Sequence, residues 1–259
     1  MDDRRSPEED RRRARPRPDR SGEDRWIDEG RVDEGRPGRM RRTSGATRSE
    51  RARLPPDVAD EVAMGGQAQA HRNAKRLQEA AKAYGEERYR DALRLVEPLA
   101  RRLSGAAAVR EVHGLCLYRL GRWKAAIAEL SAAERLSGGM EHHPVIADCH
   151  RAMGQHREVD RLWEELREGT APAAVVAEGR IVTASSLADR GDLRDAIELL
   201  EHGPVGVRRP RLHHLRLWYA LAALYERAGD VARARQLFGQ VRDHAPDFAD
   251  VGHRYRALS

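Results

Sequence analysis

Four glycines, Gly121, Gly154, Gly191 and Gly229, punctuate the chain at intervals of 33, 37 and 38 residues, and the same pattern follows each of them. Five residues beyond the glycine stands a small or branched residue, Ala126, Val159, Ala196 or Ala234. Four residues further on stands a large one, Leu130, Trp163, Leu200 or Phe238. Glycine accepts the left-handed turn that ends a helix at little cost, so each glycine marks the middle of a helical hairpin. A hairpin cannot bury the apolar faces of both its helices by itself. Copies must stack, and a period of this length is the mark of such an array.

The stretch from Trp218 to Pro246 is the clearest unit. Trp218, Leu221, Ala222 and Tyr225 recur at helical spacing, Gly229-Asp230 breaks the run, and Val231, Ala234, Leu237, Phe238 and Val241 make a second apolar face. An earlier, looser unit carries Leu77, Ala80, Ala83 and Tyr84 in its first helix and Tyr89, Ala92, Val96 and Leu99 in its second. Its glycine, Gly85, stands two residues out of register. Five units therefore run from about residue 71 to residue 246. The two longer intervals predict extra length in the connections around 169–172 and 202–210, which are rich in turn formers. After them, Phe248, Val251, Tyr255 and Leu258 share a face, with Asp247 as the expected N-cap of a helix that covers the open end.

The order Trp, Leu, small, Tyr, Gly, Ala, Phe, Pro in the Trp218 unit resembles the tetratricopeptide repeat (TPR). Ala222 stands where the family usually has glycine, and Val241 where it usually has alanine. The resemblance extends over about 190 residues and implies an all-α, right-handed superhelix of about five hairpins plus a C-terminal capping helix. It also implies a non-catalytic protein–protein interaction scaffold. One subtype of the family clamps a peptide carboxylate with Lys and Asn side chains. The matching places here hold Leu77, Ala81, Val112 and Val145, so that clamp is not implied.

Composition divides the chain at about residue 66. Residues 1–66 read as a disordered tail rich in Arg, Asp and Glu, and residues 67–259 as the repeat domain. Trp26, Ile27 and Val32 stand isolated in the polar run of the first 54 residues. The net charge of +6 is concentrated there, since the first 55 residues hold 17 Arg against 13 acids. A nearly neutral folded part argues against a clustered nucleic-acid-binding face, although the tail permits weak contact with a polyanion. All but three basic residues are Arg, the bias of a GC-rich, bacterial source. There is no apolar leader and no run long enough to cross a membrane, so the chain reads as cytoplasmic. Cys116 and Cys149 are then expected to stay reduced and unpaired.

Little in the sequence asks for catalysis. There is no phosphate-binding glycine loop, no His-Glu-x-x-His and no nucleophile elbow. His142, His143, Asp148, Cys149, His150 and His156 carry zinc-ligating chemistry. Three of them, however, fall on packing positions of the repeat, and no cofactor or metal is expected. The first helices of stacked hairpins line a concave surface where arrays of this kind bind partners. Projecting each first helix away from its packing face brings out Glu111, Leu115, Tyr118, Arg119, Asp148, Arg151, Glu178, Ser185, Asp189, Arg216, Tyr219, Glu226 and Arg227. Because Arg and Tyr dominate interface hot spots, the expected partner-binding residues are Tyr118, Arg119, Arg151, Arg216 and Tyr219. The expected ligand is a protein or peptide held in the groove. The competing reading is a nucleic-acid-associated adaptor working through its Arg-rich tail.

Overall fold

The computed structural model describes residues 67–258, so the tail expected over 1–66 lies outside the described residues. Among the described residues the chain forms eleven α-helices and no strand. Helices α1 (Gln67–Gly85) and α2 (Tyr89–Arg102) make the first hairpin, α3 (Ala107–Arg119) and α4 (Trp123–Ser137) the second, and α5 (His143–Ala152) and α6 (His156–Glu168) the third. The fourth is α7 (Ala173–Arg190) with α8 (Leu193–Glu201), and the fifth α9 (Leu212–Arg227) with α10 (Val231–His244). Helix α11 (Val251–Ala257) closes the stack.

One turn joins the two helices of every hairpin. At Gly121 the backbone N–H donates to Tyr118 O, and the next N–H, of Arg122, donates to Leu117 O. The same two bonds recur at Gly154, Gly191 and Gly229, each with φ between 71° and 94°. They satisfy carbonyls that the end of the first helix would leave orphaned. In the first unit the left-handed residue is Glu87, at φ 61°, with Glu87 N–H to Tyr84 O and Arg88 N–H to Ala83 O. Gly85 stays inside the end of α1. The backbone register of the repeat is thus kept without its glycine.

From that turn the predicted packing residues fall into place. Ala92, Ala126, Val159, Ala196 and Ala234 are all fully buried, as are Val96, Leu130, Leu200 and Phe238, and Trp163 is 7% exposed. Seven residues before each turn residue stands a small side chain, Ala80, Gly114, Ala147, Ala184 or Ala222, and all five are buried. Gly114 shows why. A Cβ there would lie 2.7 Å from the Leu130 side chain, so the two helices of this hairpin touch backbone to side chain. The interior is a series of apolar clusters along the stack, as expected when each repeat meets only its neighbours.

Two expectations need correcting. The extra residues of the fourth unit lie in α7, which has 18 residues where α5 has 10, and the connection over 169–172 is short. Only the fifth unit takes up its length in a connection, at 202–211, where Trp218 Nε1 donates to Pro204 O at 3.0 Å. The closing helix begins at Val251 and not after Asp247, because Ala249 takes a left-handed turn with φ 45°.

Candidate functional site

The first helices α1, α3, α5, α7 and α9 together line a groove of about 450 Å³. Its apolar floor is formed by Leu115 of α3, Pro144 and Val145 of α5, Val175 and Val182 of α7, and Leu212 of α9. Tyr84 stands at the α1 end. Charged side chains of both signs border the floor: Arg119 and Arg216 as cations, Glu141, Asp148 and Glu178 as carboxylates.

Those charges are joined across the helices. Tyr118 Oη donates to Asp148 Oδ2 at 2.7 Å, and Arg151 Nε donates to the other oxygen of the same carboxylate at 2.8 Å. Arg151 also reaches Asp189 of α7 at 2.7 Å, so a single chain of bonds spans the second, third and fourth units. Burial and the adjacent Asp148 carboxylate raise the Tyr118 hydroxyl pKa. Burial works against the Arg151 charge, but the two aspartates outweigh it and raise its pKa. Farther along, Arg216 pairs with Glu178 at 2.6 Å. Burial raises the Glu178 pKa, and Arg216 opposes that rise. Arg119 stacks over the Tyr89 ring at 4.5 Å and donates to its hydroxyl. At the mouth, His213 is shifted down by burial and by its neighbours His214 and Arg211.

Leu115, Tyr118, Arg119, Asp148, Glu178 and Arg216, all picked out by helix projection, come together in this groove. Arg151 stands behind them with a side chain 13% exposed, holding Asp148 from below. The projection also places Tyr219 on the concave surface. Its ring is 5% exposed, packed between Phe238 and Phe248, with its hydroxyl donating to Asp250. The physical reason is the closing segment, which covers that side of α9. Ser185 is likewise buried and donates to Ile181 O. The projection misses Val145, Val175 and Leu212, which lie in or near first turns, where the tilt of each helix decides what faces inward.

The histidine cluster disperses into separate roles. Glu134, buried at the end of α4, accepts from the His142 backbone and bonds His143 Nδ1 at 2.9 Å, and His143 Nε2 faces Glu165 at 3.4 Å. His150 bonds Gln155, and His156 bonds Ser186. Cys116 and Cys149 are free and fully buried, which pushes both thiols up to about 12. Among the described residues no group of three or more His, Cys, Asp or Glu is placed to hold a metal ion. No helix among them is long and apolar enough to cross a membrane.

Comparison with known proteins agrees with this architecture. The tetratricopeptide repeat family matches over residues 83–141 and again over 217–247. No curated protein matches the chain. Among solved structures, a thermophilic TPR protein of Thermus thermophilus superposes with a TM-score of 0.57 at 17% identity, covering 72% of this chain and 98% of that one. The apo form of the quorum sensor NprR from B. thuringiensis superposes with a TM-score of 0.60 at 16% identity, covering 78% of this chain and 61% of that one. These likenesses rest on the fold. With the repeated turn, the buried small residues and the matches at both ends of the array, the chain carries tetratricopeptide repeats within a helical array of the fold those structures share.

Proposed function

We propose that the concave groove docks a peptide or an exposed segment of a partner protein, reversibly and without catalysis. The observation that carries this reading is the groove itself, whose apolar floor and two-signed border are assembled from all five first helices. Apolar side chains of the ligand occupy the floor between Leu115, Val145 and Val175. Arg119, Arg216 and Tyr118 supply the polar contacts, because charge-assisted bonds from a planar guanidinium orient a ligand more strongly than neutral ones. Arg151 acts through Asp148, and Tyr219 supports the fifth unit from within.

Capture of partners from a cell extract on wild-type protein and on Leu212→Asp tests this. Leu212 lines the groove at 42% exposure, so the substitution leaves the core untouched. Loss of the captured proteins on the variant alone supports the groove. Equal capture on both, or recovery of nucleic acid in place of protein, moves the function to another surface.

A further inference from the structure

A second groove, of about 530 Å³, is walled by α6, α7 and α8, and Trp163, Leu187 and Leu199 give it an apolar floor. Another depression lies on the other side of α8, against the end of α9 and the start of α10, and Glu198 and His202 border both. Neither shares a lining residue with the concave groove. Helix α8 has 9 residues, where the second helices of the other units have 13 to 15. It is at least about one turn short, which leaves room beside it for another chain.

The charge on this face has one sign. Six carboxylates, Asp160, Glu164, Asp195, Glu198, Glu201 and Asp230, edge the two depressions against three arginines, Arg190, Arg194 and Arg233. Four of the six are answered within the chain. Arg190 holds Asp160 at 2.8 Å, Arg167 holds Glu164, and Arg233 faces Asp230 at 3.1 Å and Glu201 at 3.5 Å. Asp195 and Glu198 are exposed, and among the described residues no ion pair or hydrogen bond engages either carboxylate. They stand three residues apart on one face of α8, with Cβ atoms about 5–6 Å apart. A guanidinium, with its N–H donors in a fixed planar fork, bridges such a pair better than a compact ammonium does. Its methylene stem lies along an apolar floor without cost.

We infer that this face of the array is a second docking surface, separate from the concave groove, and that it takes an arginine-bearing segment of a partner protein. One guanidinium of the segment spans Asp195 and Glu198, and a neighbouring apolar side chain lies over Trp163, Leu187 and Leu199. The array then holds one ligand on its first helices and a basic one on its second helices, so that two partners are carried at once.

The test uses full-length protein and, as probe, a short fluorescent peptide of arginine, leucine and glycine, with a second peptide carrying glutamate in place of arginine. Both are titrated into wild type, Asp195→Asn/Glu198→Gln and Leu212→Asp, after helicity and melting temperature are matched. The two changed carboxylates are exposed, so the substitutions leave the core untouched. The expected result is that the arginine peptide binds wild type and Leu212→Asp alike and binds the double variant about tenfold more weakly, while the glutamate peptide binds none of them. Equal affinity for wild type and double variant, or binding to neither, overturns the inference. Loss on Leu212→Asp in place of the double variant overturns it too, by seating the peptide in the concave groove, and leaves the docking reading of that groove standing. Sedimentation showing wild-type dimers that dissociate in the double variant also overturns it, by seating a second copy on this face.

Discussion

Glu178 and Arg216 hold the same place in consecutive repeats, thirteen residues before Gly191 and Gly229, and meet across the groove as an ion pair at 2.6 Å. One repeat position thus supplies opposite charges to neighbouring helices. Since burial already raises the Glu178 pKa, removing Arg216 strands a carboxylate that resists ionisation. A group with a raised folded pKa contributes stability that is complete below its unfolded value, about 4.3, and lost as pH climbs through the folded one. Arg216→Met is therefore expected to cost about 1–2 kcal/mol at pH 7 and much less at pH 4.5. Thermal melts of both proteins at the two pH values check it.

The Tyr118–Asp148–Arg151–Asp189 chain joins three repeats, and Arg151 and Asp148 are nearly buried within it. Arg151→Leu leaves two carboxylates without their cation. A loss on the order of 3 kcal/mol is expected by urea denaturation, whereas Tyr118→Phe, which leaves the ion pairs in place, should cost closer to 1 kcal/mol.

The first turn is strained where the others are not. Glu87→Gly relieves a left-handed side chain and should raise stability by about 0.5–1 kcal/mol, after the entropy glycine adds to the unfolded chain. Gly114→Ala makes the opposite point, because its Cβ would meet the Leu130 side chain at 2.7 Å and the Leu130 backbone nitrogen at 3.2 Å. A loss of about 1–3 kcal/mol is expected. Chemical denaturation of both variants provides the measurement.

His143 sits between Glu134 and Glu165, and its pKa is raised chiefly by the bond to Glu134. Its contribution to stability is complete below about 6.5 and is lost as pH rises through the raised value. Wild type should melt at a lower temperature at pH 8 than at pH 6, and His143→Asn should flatten that difference. The buried thiols give an independent check on the core. With both pushed up to about 12, Cys116 and Cys149 should resist a thiol reagent at pH 8 until the protein unfolds.

The array was legible because its punctuation is chemical. Gly121, Gly154, Gly191 and Gly229 are needed wherever the left-handed turn recurs, and the small and large residues after them are fixed by helix contact. The first unit was harder to place because Glu87 takes that turn at the cost of strain, which no residue-type rule reveals. Six of the fifteen residues that line the groove could be read from helix projection. Tyr219 could not, because its burial depends on Phe248 and Asp250 folding back over α9 past the turn at Ala249. Val175 and Leu212 escaped notice because first-turn residues face inward only once the helix tilt is known.

The most direct test of the account is quantitative partner capture on full-length wild type and Leu212→Asp, read by mass spectrometry from equal amounts of folded protein. The groove account predicts the same set of proteins on both, depleted at least tenfold on Leu212→Asp. Undiminished capture on Leu212→Asp would contradict it.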